Sequence, residues 1–319
     1  MTEIKLPPLA RWELDRDYLS RSRPELFDEL WSLETTCVLA MHGGKVLLRA
    51  DSETPKLNLM AVDQVPTANL RVYLGKTTSA TSHEANGAAI VLAIVNENSA
   101  NQIEPDGSKW IGLRSLGAEL SDRDAGLFTQ ALALYNWHET NQHCPKCGTP
   151  TVIEQGGWSR RCFKDNNEIF PRTDPAIIVA ITDQQDRILL GSQGTWEHNR
   201  WSVLAGFVEA GESLEAAVVR EMKEECGLEV FDIQYLYSQS WPFPQSLMLG
   251  FSAKADSSIE FLPDGEEIVK LRWFSKAEIA AEAKSLLLPS DSTISRSLIE
   301  LWYGSPIDSA IEEVKNGQQ

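Results

Sequence analysis

The chain has 319 residues, 42% hydrophobic and 24% charged, the composition of a soluble globular protein of about two domains. Its formal net charge of -17 weighs against a sequence-independent grip on nucleic-acid backbones, which needs basic patches. No apolar run reaches the roughly 18 residues that span a membrane. The five cysteines, an odd number with three clustered, point to metal binding in a reducing compartment, the cytoplasm by default, and not to a disulfide framework.

Residues 1–22 read as a loosely ordered arm, and their mixed charges and prolines do not make a secretory signal. Pro24, at a first helical turn, starts a short helix over 24–33. Segments 37–41 and 45–49 read as a hairpin about Gly43-Gly44, and 71–74 and 88–95 as further strands. Together they predict a small N-terminal α+β domain over 1–120 in which nothing reads as catalytic. Cys37 is expected in its core, His42 and His83 on its surface.

Ser121 and Asp124 have capping-box spacing and open a helix over 121–141, with Leu127, Ala131 and Leu134 on one side. The helix leads into Cys144-Pro-Lys-Cys147-Gly, and Cys162 follows with fourteen residues between it and Cys147. Two thiolates on a tight turn and a distant second pair are zinc-ribbon spacing. The fourth position, three residues after Cys162, is Asp165; His143 and Glu168 are the other candidates. Such a zinc is structural, because no catalytic partners accompany it. This segment, 121–170, connects to a domain over 171–319.

In that domain, strands are expected over 176–182, 187–191, 201–208, 233–238, 247–253 and 269–274. The run 176–182 is too apolar for an edge strand. Ser275 and Glu278 form a second capping box. A last helix spans 292–302, with Ile294, Leu298, Leu301 and Trp302 as its apolar side. Strands with one dominant helix fit an α/β/α sandwich around a mixed sheet.

That helix lies in the stretch GFVEAGESLEAAVVREMKEECGL, residues 206–228. Ser213 is its N-cap and Gly227 its stop. Glu221, Glu224 and Glu225 recur at i, i+3, i+4 and share one face; Val219, Met222 and Cys226 are expected to anchor the other. Like charges 4 Å apart repel by about 1 kcal/mol in water and about 4 kcal/mol at an effective dielectric of 20, so the cluster calls for a cation. An all-carboxylate set suits Mg²⁺ or Mn²⁺, and Mg²⁺ engages substrate phosphates. Arg220 is placed to pair with Glu224 one turn on, or with Glu212 before the helix. A solvated acidic face is the alternative reading of the three glutamates alone.

The whole stretch resembles the Nudix box, G-x5-E-x7-R-E-U-x-E-E-x-G-U, at every fixed position, with Met222 and Leu228 at the apolar sites. A second stretch, SQSWPFPQS over 238–246, is a stiff wall of aromatics and prolines suited to stacking on flat rings. It resembles SQPWPFPxS, the signature of the NADH pyrophosphatase (NudC-type) family, with Ser240 in place of a proline. The cysteine turn, FPRTDP at 170–175 and LLP…ISRSLI at 287–299 resemble the same family, with Ser295 where it usually has alanine.

This resemblance implies hydrolysis of the pyrophosphate of NAD(H), to NMN(H) and AMP, and removal of NAD caps from RNA 5′ ends. It implies that Glu221, Glu224, Glu225 and Glu267 hold the divalent metals, with Glu212 and Arg220 supporting them and Glu225 or Glu267 as general base. It also implies that Phe207 and Phe170 stack on the bases, Phe170 from the partner of a homodimer. Gln239, Trp241, Phe243, Pro244 and Ser246 then belong to the substrate site, as does the backbone at Ser295. A pyrophosphatase for ADP-ribose or another dinucleotide is the alternative enzyme. A non-catalytic ligand sensor is the alternative of another class, and the intact glutamates stand against it.

Overall fold

A computed structural model describes residues 6–308 and the backbone of residues 310 and 311. It forms two compact units. One comprises residues 11–172 with 242–245; the other comprises the remainder.

The first unit is built on a seven-stranded sheet. Its spatial order is Leu14–Asp15, Ala68–Thr77, Ala89–Val95, Cys37–His42, Lys45–Val46 and Ile111–Gly112, with Leu59–Ala61 pairing separately on Cys37–His42. Ala89–Val95 runs parallel to Cys37–His42 and is buried along its whole length, as its unbroken apolar sequence requires. The long helix Asp122–Thr140 buries Leu127, Phe128, Ala131, Leu134 and Trp137. A three-stranded sheet of Val152–Glu154, Ser159–Cys162 and Asn167–Ile169 belongs to the same unit, as does the turn 242–245.

Within this unit His138 is buried. Its Nε2–H donates to Gly157 O at 2.8 Å, and its Nδ1 accepts from the Arg160 guanidinium at 3.0 Å. Arg160 spends its other donors on Thr151 Oγ1 and Thr151 O. Burial holds the imidazole neutral, its pKa lowered to about 4.

Several expectations for this unit change. Residues 11–22 are not a loose arm. Leu14 and Asp15 pair with Thr77 and Lys76, Tyr18–Ser22 is a 3-10 turn, and Asp17 accepts from Tyr73 and Lys76. The chain at Arg11–Trp12 lies so close to the long helix that a Cβ on Gly126 would meet Arg11 O at 2.6 Å. Residues 1–5 of the expected arm lie outside the described residues. The first helix is Leu26–Ser32, with Pro24 ahead of its cap and not in its first turn. A helix at Glu97–Ile103, capped by Asn96, went unread because a polar run of Glu, Asn and Ser carries little apolar periodicity. The capping box at Ser121 is one-sided. Ser121 Oγ accepts from Asp124 N, but Asp124 turns inward to accept from Leu57 N at 2.9 Å and from Arg123.

The second unit is an α+β sandwich on a six-stranded mixed sheet. The order is Val230–Trp241, Ser246–Ala255, Asp174–Thr182, Ile188–Ser192 and Lys270–Phe274, and Leu204–Phe207 pairs with the first half of Asp174–Thr182. Asp174–Thr182 runs parallel to Ser246–Ala255 and is central, so both of its faces are covered. Period-2 alternation divides them. Ile177, Val179 and Ile181 pack with Ala217, Val218, Met222 and Cys226 of the helix Leu214–Cys226. Ile178 and Ala180 pack with Trp201, Phe274, Ile279 and the helix Ile294–Tyr303 on the opposite face.

Two helix faces differ from expectation, one by one position and the other by two. Val219 is 44% exposed, and Val218 takes its place in the core. Leu301 is 45% exposed, and Ile299 replaces it. The strands expected at 233–238 and 247–253 are longer, and most of SQSWPFPQS is strand, with only 242–245 as a turn.

Candidate active site

The strand Leu204–Phe207 feeds a turn that ends at Ser213, whose Oγ accepts from Ala216 N and starts the helix Leu214–Cys226. Gly227, at φ 72°, ends it in the left-handed conformation. This helix presents the glutamates.

Arg220 organises them. Its guanidinium is bidentate on Glu212, at 2.7 and 2.9 Å. It also donates to Glu221 Oε1 and Glu224 Oε2, each at 2.9 Å, and to Phe207 O at 2.9 Å. Both pairings open to Arg220 in the sequence are therefore made. Glu212 is tied further by Glu209 N, and the Arg220 guanidinium holds its carboxyl down at about 2. The same contacts raise the Arg220 pKa further above its ordinary value.

Glu221 lies flat against the strand at Gly206. A Cβ there would stand 2.0 Å from the Glu221 carboxyl carbon and 2.3 Å from each oxygen. This is the physical reason for the first glycine of the motif. Glu225 is the buried member, 5% exposed, and its Oε2 has no hydrogen-bond partner among the described residues. Burial pushes its pKa up to about 8, with Glu221, Glu267, Asp264 and Glu224 adding to the shift. A buried carboxylate oxygen without a donor, ringed by other carboxylates, fits a hard divalent cation. Glu221 is raised too, mainly by burial.

Glu267 is exposed and close enough to raise both Glu221 and Glu225. Asp264 was not singled out in the sequence. Its carboxylate accepts from the backbone N–H of Glu266, Glu267 and Ile268, so it shapes the turn that presents Glu267. An aspartate opening D-G-E-E was the available signal.

The remaining candidates divide. Phe207 is 59% exposed beside the glutamate helix, and Phe170, in the other unit, is 58% exposed. Trp241 and Ser246 face each other as the last strand pair before the turn. Phe243 and Pro244 are on the turn, where the Arg114 guanidinium lies 4.2 Å from the Phe243 ring centre. Gln239, expected in the substrate site, is held inside the fold. It is 1% exposed and both ends of its amide are engaged, donating to Ser292 O and accepting from Ile294 N at 2.7 Å each. It braces the hairpin on the start of the last helix, because a buried amide must satisfy both ends. Ser295 is buried with its hydroxyl 2.7 Å from Ser202 Oγ.

In the first unit Cys144, Cys147, Cys162 and Asp165 place their ligand atoms within 4.8 Å of one another. Cys147 Sγ is 3.5 Å from Cys162 Sγ, and Cys144 Sγ is 3.4 Å from Asp165 Oδ2. Zinc–sulfur bonds of about 2.3 Å separate tetrahedral sulfurs by about 3.8 Å, so three thiols and a carboxylate at this spacing fit zinc. The other candidates for the fourth ligand fall away. Glu168 is paired with Arg161, and neither it nor His143 belongs to the group of converging ligand atoms.

A glutamate-bearing helix on the face of a mixed sheet, entered through a glycine strand and locked by an arginine, is the arrangement of a Nudix hydrolase domain. Residues 172–296 match the family model described as NUDIX domain. Residues 35–137 match the NADH pyrophosphatase-like rudimentary NUDIX domain, and 139–170 the NADH pyrophosphatase zinc ribbon domain. The chain is 43% identical over 202 residues to "NAD-capped RNA hydrolase NudC" of Mycobacterium tuberculosis (strain ATCC 25177 / H37Ra), a match covering 60% of this chain and 64% of that protein. It is 35% identical over 198 residues to "NAD-capped RNA hydrolase NUDT12" of Homo sapiens, covering 58% and 43%. The chain thus spans less than two thirds of the length of these curated relatives. A solved NUDIX hydrolase from Nitrosomonas europaea is 23% identical, covering 53% of this chain and 97% of that one, with a TM-score of 0.39. Most of residues 35–296 thus matches, in order, the rudimentary NUDIX, zinc-ribbon and NUDIX domain models of NADH pyrophosphatase-type Nudix hydrolases.

Proposed function

We propose that this protein hydrolyses the pyrophosphate of NAD(H) to NMN(H) and AMP, and removes NAD caps from RNA 5′ ends by the same cleavage. The chemistry rests on one observation above all: the unpartnered, buried Glu225 oxygen inside a ring of four other carboxylates. The substrate class is supported by the family and by what the relatives are called.

In this reading Glu221, Glu224, Glu225 and Glu267 hold Mg²⁺ or Mn²⁺. A divalent cation held there would supply charge neutralisation at the pyrophosphate and would acidify the attacking water. Glu225 or Glu267 takes the proton of the attacking water. Glu212 and Arg220 fix the ligand-bearing helix against Phe207 O. Phe207, Trp241 and Phe243 supply flat apolar surface for the rings, with Pro244, Ser246 and the backbone at Ser295 framing them and Phe170 stacking from the partner of a homodimer. A structural zinc occupies Cys144, Cys147, Cys162 and Asp165, and the enzyme works in the cytoplasm. The chain is read as an N-terminal domain over 1–120, a connecting helix and ribbon over 121–170, and the catalytic domain over 171–319.

The test is a product assay with NADH and with ADP-ribose, each with Mg²⁺ or Mn²⁺ and then with chelator. Metal-dependent AMP and NMNH, formed faster than ADP-ribose is cleaved, are expected. Cleavage of ADP-ribose alone would keep the Nudix chemistry and remove the substrate assignment. Inactivity of folded protein on both would favour capped RNA or a sensor.

A further inference from the structure

The turn 242–245 joins two long strands, and two of its four residues are prolines. A proline has no amide hydrogen to close a turn with, while its carbonyl is a free acceptor. Both proline carbonyls converge on one side chain. Asn136 Nδ2 lies 2.9 Å from Pro242 O and 3.0 Å from Pro244 O. Only the amide nitrogen fits between two carbonyls, and its two hydrogens match the two acceptors.

Asn136 sits in the last turn or so of the long helix Asp122–Thr140, at a position where asparagine is a poor helix former. The turn also carries the Arg114 guanidinium on its Phe243 ring. It borders a cleft of about 540 Å³ whose lining includes Tyr135, Asn136, Glu139, Arg172, Pro244 and Gln245.

We infer that Asn136 is a positioning residue for substrate selection. By fastening both proline carbonyls it sets the curvature of the turn, and so the orientation of Phe243. The inference rests on the proposed reading of this hairpin as a wall for the flat rings of the substrate. It adds the element that fixes the wall, a helix outside the motif-bearing hairpin.

The test uses the full chain at saturating Mg²⁺. Asn136→Asp keeps the shape and removes both donors; Asn136→Ala removes the group; Asn136→Gln keeps an amide. Loss of two neutral hydrogen bonds and the geometry they impose predicts a rise of about tenfold in KM for NADH. The expected pattern is that rise in Asn136→Asp and Asn136→Ala, with kcat for NADH and the KM for ADP-ribose within about twofold of the parent, and partial recovery in Asn136→Gln. Unchanged KM for NADH in the first two variants overturns the inference. So does a parallel loss on both substrates together with a lowered unfolding midpoint, which marks a merely structural residue. Hydrogen exchange of the peptide 241–247 provides an arm independent of substrate. Faster exchange in Asn136→Ala is expected, and parental exchange overturns the pin. If the parent fails to cleave NADH while exchange responds, the proposed activity falls and the pin stands.

Discussion

Replacing Gly206 with alanine tests the site's geometry with one methyl group. The added Cβ would stand 2.0 Å from the Glu221 carboxyl carbon. Ordinary carbon contacts begin near 3.4 Å, so the carboxylate must retreat by about 1.4 Å. It is the end of a flexible side chain, so the retreat costs the fold little. For a metal ligand it is large, because a misplacement of about 1 Å costs on the order of 10²-fold in rate. Gly206→Ala should therefore lower kcat/KM for AMP release from NADH about a hundredfold, or about 2.7 kcal/mol in transition-state stabilisation. The Mg²⁺ needed for half-maximal rate should rise, and the thermal midpoint should stay within about 2 °C of the parent. Initial rates across a Mg²⁺ titration, with a thermal melt of each protein, measure all three. A variant with parental rate and metal requirement would refute the view that Glu221 must lie flat on the strand. A variant that simply unfolds would refute the view that the collision is absorbed by the side chain.

Glu225→Gln should abolish turnover by at least about a hundredfold while the protein still folds, since the buried oxygen has no partner to lose; near-parental activity would remove Glu225 from the metal set. His138 gives a pH signature. Its folded pKa, about 4, lies below the ordinary 6.5, so the unfolded chain binds the extra proton first. Stability is therefore fully present above about pH 6.5 and lost at about 1.4 kcal/mol per unit as pH falls towards 4, about 3 kcal/mol in all. Urea unfolding at pH 7 and pH 5 should differ by about 2 kcal/mol more in the parent than in His138→Gln, and equal differences would be contrary. Cys162→Ser should purify without zinc and unfold at lower temperature, whereas Asp165→Cys should retain zinc and resist chelator longer than the parent, as metal analysis and melts in EDTA would record.

Much of the catalytic domain is legible because its signals are local. The box fixes residue types at helical spacing, Ser213 and Gly227 mark the helix ends, and the apolar run of Asp174–Thr182 could only be a covered strand. What escaped depends on contacts far apart in the chain. Nothing near Gln239 indicates that its amide will be consumed by Ser292 and Ile294, more than fifty positions on. Val219 was assigned to the core on helical periodicity alone, and a rotation of one position, set by how the helix seats on the sheet, put Val218 there instead. The segment 11–22 looked loose because its order comes from pairing with Ala68–Thr77. Asp165 as fourth ligand was one of three options in sequence, and only the closing of the small sheet at Ser159–Cys162 and Asn167–Ile169 brings it to the thiols.

The threefold engagement of Arg220 has a consequence for how the site behaves between catalytic cycles. Clustered carboxylates would push one another apart whenever their cation left. Here a permanent internal cation touches Glu212, Glu221 and Glu224 at once. It works as a parking brake on the side chains, so a departing metal leaves behind a scaffold ready for reloading and not a frayed helix. In the proposed reading metal exchange at this site is uncoupled from unfolding, and protein stripped of Mg²⁺ or Mn²⁺ but not of zinc should regain full activity as soon as divalent cation is restored.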